Sequence, residues 1–139
     1  MFRMEQRVGR LVEVRYHESL TLDDFTRLMA KTRTLFEASS LPLVFVTDAR
    51  YVSPFPRDVA DSLVWVMRRD NPKIAAGGIL LSRENLMWQR QAERILMEAR
   101  NTVRRLFFEP LDLAAWLSPH LDGDERRRLD AFLLETWAK

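Results

Sequence analysis

Hydrophobic and polar positions change period several times along the chain, and each change marks an element. Over residues 2–17 the alternation is two-fold. Phe2, Met4 and Gln6 alternate with Arg3, Glu5 and Arg7, and Val12, Val14 and Tyr16 with Glu13, Arg15 and His17. This predicts two strands joined at Val8-Gly9, with one face apolar and one wet, placed at a sheet edge. From Leu22 the period lengthens. Leu22, Phe25, Leu28, Met29, Thr32, Leu35 and Phe36 share one helical face. Thr21 supplies an N-cap hydroxyl, Asp24 the acid three positions on, and Leu20 with Phe25 a hydrophobic staple. Leu43-Val44-Phe45-Val46-Thr47-Asp48 is then nearly all apolar and too short for a helix. Continuous apolarity predicts a strand covered on both faces, as in a parallel sheet.

The second half repeats this rhythm. A helix from Pro56 carries Val59, Ala60, Leu63, Val64 and Met67 inward and stops at Asn71-Pro72. Residues 74–81 form a second buried strand, whose Gly77-Gly78 predicts a bulge or close approach of a neighbouring backbone. Ser82 is placed as the cap of a third helix, with Leu81 and Leu86 as its staple. Its inward positions are Leu86, Trp88, Ala92, Ile95, Leu96 and Ala99. Val103 to Phe108 reads as the other edge strand. Pro110 opens a short helix over Leu111, Leu113, Ala114, Trp116 and Leu117. Asp122 and Glu125 cap a last one, with Leu129, Phe132, Leu133 and Trp137 inward. The order ββαβαβαβαα predicts one α/β domain over residues 1–139. Its mixed, mostly parallel sheet has about five strands, begins with a β-hairpin and is covered by four to five helices.

Composition narrows the chemistry. The 139 residues include no Cys, which excludes disulfides, thiolate metal sites and Cys nucleophiles. Net charge is +2, with both signs interspersed, which argues against a nucleic-acid footprint. No signal-like N-terminus and no apolar run of membrane-spanning length are present, so the expectation is a cytoplasmic protein without membrane insertion. His17 and His120 have no ligand spacing and read as surface or capping residues, and no metal site or cofactor is expected. Arg126-Arg127-Arg128 lies among acids and reads as a solvated helix face. No catalytic residue is assigned, because no base stands beside any candidate nucleophile or acid.

Candidate chemistry concentrates after the central strand. Asp48 ends that strand, where α/β sheets place functional groups, and can equally cap its own loop. Beyond it, Arg50, Tyr51, Ser53, Phe55, Arg57 and Asp58 combine aromatic and Arg side chains with two prolines, a composition suited to partner binding. The alternative is an ordinary loop with Tyr51 and Phe55 folded back onto the core. Met29, Met67, Met87 and Met97 either line a ligand pocket or fill gaps between helices and sheet. Trp65 and Trp88 stand beside their helices' main stripes, which leaves a dimer interface or core packing open to them.

Taken together, several stretches resemble a STAS domain, and more closely the divergent SpoIIAA-like or STAS/SEC14-like bacterial set. They are Leu43 to Arg50, the Pro56 helix, Gly78-Ile79-Leu80-Leu81, and Arg105-Leu106-Phe107-Phe108 ahead of Ala115-Trp116-Leu117. The resemblance covers nearly the whole chain. It implies a cofactor-free, non-enzymatic interaction module in bacterial signalling, which binds a regulator or kinase or pairs as a homodimer. Members of this type are switched by phosphorylation at the start of the helix after the central strand. Here the matching positions are Arg57 and Asp58, which cannot be phosphorylated, and Ser53 falls a few residues early. The SEC14-like side of the resemblance implies a lipid or small apolar ligand instead. Such a carrier would show an apolar cavity lined by Trp, Phe and Met between sheet and helices.

Overall fold

A computed structural model describes residues 1–135. The expected position of Trp137 on the last helix lies outside them. The elements are β1 (Phe2–Val8), β2 (Leu11–Glu18), α1 (Leu22–Glu37), β3 (Leu43–Val52), α2 (Arg57–Asp70), β4 (Ile74–Leu80), α3 (Leu86–Glu98), β5 (Arg104–Phe107), α4 (Pro110–Leu117) and α5 (Gly123–Leu134). Short 3-10 turns follow α2 and α4. The expected order is therefore the observed one.

One five-stranded sheet runs in the order β1-β2-β3-β4-β5. The β1–β2 hairpin is antiparallel and the other three pairings are parallel. Gly9 makes the hairpin turn in the left-handed region (φ +54°), where a Cβ would be strained. Each crossover steps one strand in the same direction. Right-handed connections then place α1, α2 and α3 on one face of the sheet. Leu28, Leu63 and Ile95 of these helices pack with Val12 and Val14 of β2. The opposite face is closed by α4 and α5, whose Leu113, Leu117, Leu129 and Phe132 pack on Leu11, Val44, Val46 and Ala76. Both faces of the central strands are therefore dry, which accounts for their continuous apolarity.

Local chemistry explains the helix starts. Thr21 and Asp24 form the capping box of α1, and Asp122 and Glu125 form that of α5. Glu125 also accepts the Arg10 backbone N–H at 2.6 Å, tying the start of α5 to the hairpin turn. The cap of α3 differs from expectation. The helix begins at Leu86 after Asn85, and Ser82 instead accepts from Glu84 N–H in a turn. The Asn85 side chain is spent on the Val52 carbonyl, at 2.6 Å.

The wet face expected for the hairpin is the main correction. Glu13 and Arg15 are buried beneath α5, because β2 lies inside the sheet and, of the hairpin, β1 alone is an edge strand. Arg128 is likewise no solvated member of its basic run. Its guanidinium makes a two-pronged pair with Glu13, at 2.8 and 2.7 Å. Gly77 and Gly78 serve close approach, but of side chains rather than backbone. A Cβ at Gly78 would stand 2.8 Å from Leu113 Cγ, and one at Gly77 3.2 Å from Arg104 Cγ.

Candidate functional site

The strand β3 ends in two different environments. Asp48 points under α5 and is 4% exposed. Its Oδ2 accepts from Arg15 at 2.9 Å, and Arg50 bonds both its oxygens at 3.0 Å. Arg15 is equally buried and also donates to the Phe132 carbonyl at 2.8 Å and to Glu135 at 3.1 Å. Its guanidinium lies 3.9 Å from the centre of the Phe132 ring. Together with Glu13 and Arg128 these groups form a paired charge cluster that fastens α5 to the sheet. Pairing and hydrogen bonding offset the cost of burying each charge. Arg128 lowers the carboxyl pKa of Glu135 by hydrogen bonding to it. Chemically the cluster is saturated and leaves no group disposed to act on a substrate.

The loop after β3 divides its side chains. Tyr51 is 54% exposed, with the Arg50 guanidinium 5.5 Å from its ring. Ser53, Arg57 and Asp58 are also exposed. Arg57 lies 3.9 Å from Asp61, and Asp58 accepts the Val59 N–H at 2.9 Å. Phe55 turns inward instead and is buried. Its backbone is clamped by the Gln91 side chain, which accepts its N–H at 2.7 Å and donates to its carbonyl at 2.9 Å. The two Tyr/Phe candidates for folding back therefore part: Phe55 does so and Tyr51 does not.

Phe55 leads into a second site. Its ring lies 4.7 Å from Trp88 and edge-on to Tyr16 at 5.8 Å. These rings close one side of a cavity of about 100 Å³ between the sheet and α1–α3. Met4, Met29, Met67, Phe36, Phe45 and Ile95 supply much of the apolar wall. Of the methionines weighed from the sequence, Met29 and Met67 reach it, whereas Met87 and Met97 are exposed. Met4 joins them from β1.

Few polar groups line the cavity, and they are arranged unusually. Trp88 is 4% exposed, yet its indole Nε1–H has no acceptor among the described residues. Leaving a buried donor unpaired costs on the order of 1–3 kcal/mol. Tyr16 lines the same space, and burial pushes its phenol pKa up to about 12. Arg104 enters from β5 with its stem across Gly77, and burial pushes its pKa down to about 10. Thr32, Thr47 and Asp70 complete the polar lining. Neither Tyr16 nor Arg104 stood out as a site residue in the sequence, and Trp88 stood open there to a dimer interface or to core packing. The one available signal was Gly77, which makes room for the Arg104 stem.

Among the described residues, no group of three or more His, Cys, Asp or Glu could hold a metal ion. No described helix is long and apolar enough to cross a membrane. No family model matches the chain. No curated protein matches it in sequence either. In structure it is similar to an uncharacterized protein of the DUF3478 family with a SpoIIAA-like fold, from Shewanella loihica PV-4. The TM-score is 0.64 at 12% sequence identity, covering 84% of this chain and 93% of that one. The antiparallel hairpin, the parallel strands in sequential order and the helices on both faces thus make up a SpoIIAA-like fold.

Proposed function

We propose that this protein is a non-enzymatic binding domain for a small apolar molecule held between the sheet and α1–α3. The observation that carries the reading is the buried Trp88 Nε1–H, without an acceptor among the described residues, in the wall of a mostly apolar cavity. Apolar lining with a few convergent polar groups is the usual make-up of a ligand site. The charge cluster under α5 offers no competing chemistry, since its members satisfy one another.

Native mass spectrometry of the protein purified from its own host tests this. The expected result is an added small mass that survives desalting and is absent from Ala92→Leu. Ala92 is buried in the cavity wall, and the larger side chain fills the space. A bare chain, together with no thermal shift from apolar compounds of roughly four to five carbons, sinks the proposal.

A second reading rests on the outward half of the β3–α2 loop. Tyr51 and Arg57 are exposed there, and Trp65 on the following helix is 65% exposed. Aromatic and Arg side chains of this kind suit docking of a regulatory protein or of a second copy. Tyr51→Ala with Arg57→Ala then abolishes capture of that partner while leaving cavity binding unchanged. Ser53 is the residue to examine for phosphorylation, and an unmodified Ser53 in cells removes that switch.

A further inference from the structure

We infer that the cavity's ligand is a small apolar monocarboxylate, its tail among the aromatic and Met side chains and its carboxylate on the Arg104 guanidinium. This rests on the cavity-binding reading and gives that ligand its chemical class.

The first argument is the state of Arg104. Its stem crosses β4 at Gly77, so the half-buried side chain runs along the cavity wall and its guanidinium reaches Asn71 at the end of α2. Among the described residues its five N–H donors make one hydrogen bond, to Asn71 Oδ1. Among the described residues it has no carboxylate within salt-bridge distance. Asp70 is the acid in electrostatic range, but its oxygens are taken by Arg69 at 3.0 and 3.3 Å and by Lys73 at 3.7 Å. A charge withdrawn from water with so few partners is costly, and an anion from outside would complete it. The planar fork suits a carboxylate held by two bonds.

The second argument is the donor character of Trp88 and Tyr16, the polar groups that stand among the rings. Trp88 offers only a donor, and that donor is unpaired. The Tyr16 hydroxyl makes no hydrogen bond among the described residues and stands in electrostatic range of Arg104. A ligand that supplies acceptors suits these donors, and an anionic one suits Arg104. A cationic ligand would meet Arg104 with like charge.

Size and access limit the tail. A dry cavity of ~150 Å³ admits benzene. The space here is smaller, about 100 Å³, which fits acids of roughly four to five carbons. The cavity shares Phe36 and Asp70 with an open groove of about 500 Å³. That groove carries Arg33, Arg69 and Lys73 against Glu37 and Asp70, and its positive excess would draw anions toward the Arg104 end.

Calorimetric titration of the full chain with butanoate, pentanoate and neutral 1-pentanol tests the inference, with the Trp88 indole N–H followed by NMR. Wild-type protein should bind at least one acid on the order of 10-fold more tightly than the alcohol, and the Trp88 resonance should move. Arg104→Gln should lose on the order of 10- to 100-fold in affinity for the acid and keep its affinity for the alcohol. If alcohol and acids bind wild-type protein equally, or if folded Arg104→Gln binds the acid as before, the carboxylate assignment is overturned while cavity binding stands. If neither acid nor alcohol binds wild-type protein, both fall. The wild-type comparison decides the question even if Arg104→Gln does not fold.

Discussion

Removing the Asp48 carboxylate should destabilise the protein severely without touching its cavity. In the native state the carboxylate is buried, bonded to Arg15 at 2.9 Å and to Arg50 at 3.0 Å. Asp48→Ala leaves the Arg15 guanidinium beneath α5. Its remaining ionic partner there is Glu135, 43% exposed and so partly screened by solvent. Orphaning one member of a buried pair costs about 3–5 kcal/mol. With an unfolding entropy of roughly 2.1 cal/mol/K per residue, a chain of 139 residues loses about 10–17 °C in Tm. Thermal and urea denaturation, followed by circular dichroism, measure this directly. The companion variant Arg15→Met/Asp48→Leu removes both charges, and an apolar pair of similar size is often neutral or better. It should recover most of the loss, giving a large coupling energy in the double-mutant cycle. If Asp48→Ala costs less than about 1 kcal/mol, or the double variant is as unstable as the single one, the reasoning fails. In that case Asp48 does no more than cap its own loop through the Arg50 N–H, to which it is bonded at 3.3 Å.

Three further outcomes are expected. Gly78→Ala places a Cβ 2.8 Å from Leu113 Cγ and must push α4 off the sheet. A destabilisation of about 1–3 kcal/mol in urea titration is the expected reading, and unchanged stability would show that α4 slides freely. Thr21→Ala removes the hydroxyl that accepts the Asp24 N–H at 3.0 Å, costing about 1 kcal/mol by the same assay. Tyr16 makes stability pH-dependent at the alkaline end. Burial raises its folded pKa to about 12, above the ~10 of an unfolded chain. The favourable contribution is therefore complete below pH ~10 and is lost as pH rises toward about 12. In Tyr51→Phe, where Tyr16 is the remaining tyrosine, ultraviolet titration should place its ionisation near the upper value. An ordinary midpoint would show that water reaches the cavity freely.

Features that depend on neighbours in the chain were readable from the sequence. The order of ten elements, the capping boxes at Thr21 and Asp122, and dry faces for β3 and β4 all follow from spacing over a few residues. The parallel sheet follows as well, because a strand, a helix and a strand in succession have one common handedness. Only the tertiary structure decided what each polar side chain meets. Glu13 and Arg15 alternate like solvent-facing residues, yet α5 covers them, and Arg128 answers Glu13 from 115 positions away. Two-fold alternation identifies two faces but not whether water or a charged helix lies over the second. The cavity was legible only as a possibility carried by Met and aromatic residues. Its polar lining comes from Tyr16 on β2, Thr32 on α1, Thr47 on β3, Asp70 on α2, Trp88 on α3 and Arg104 on β5. No local pattern relates these positions, since their meeting depends on crossovers that stack three helices over one sheet face.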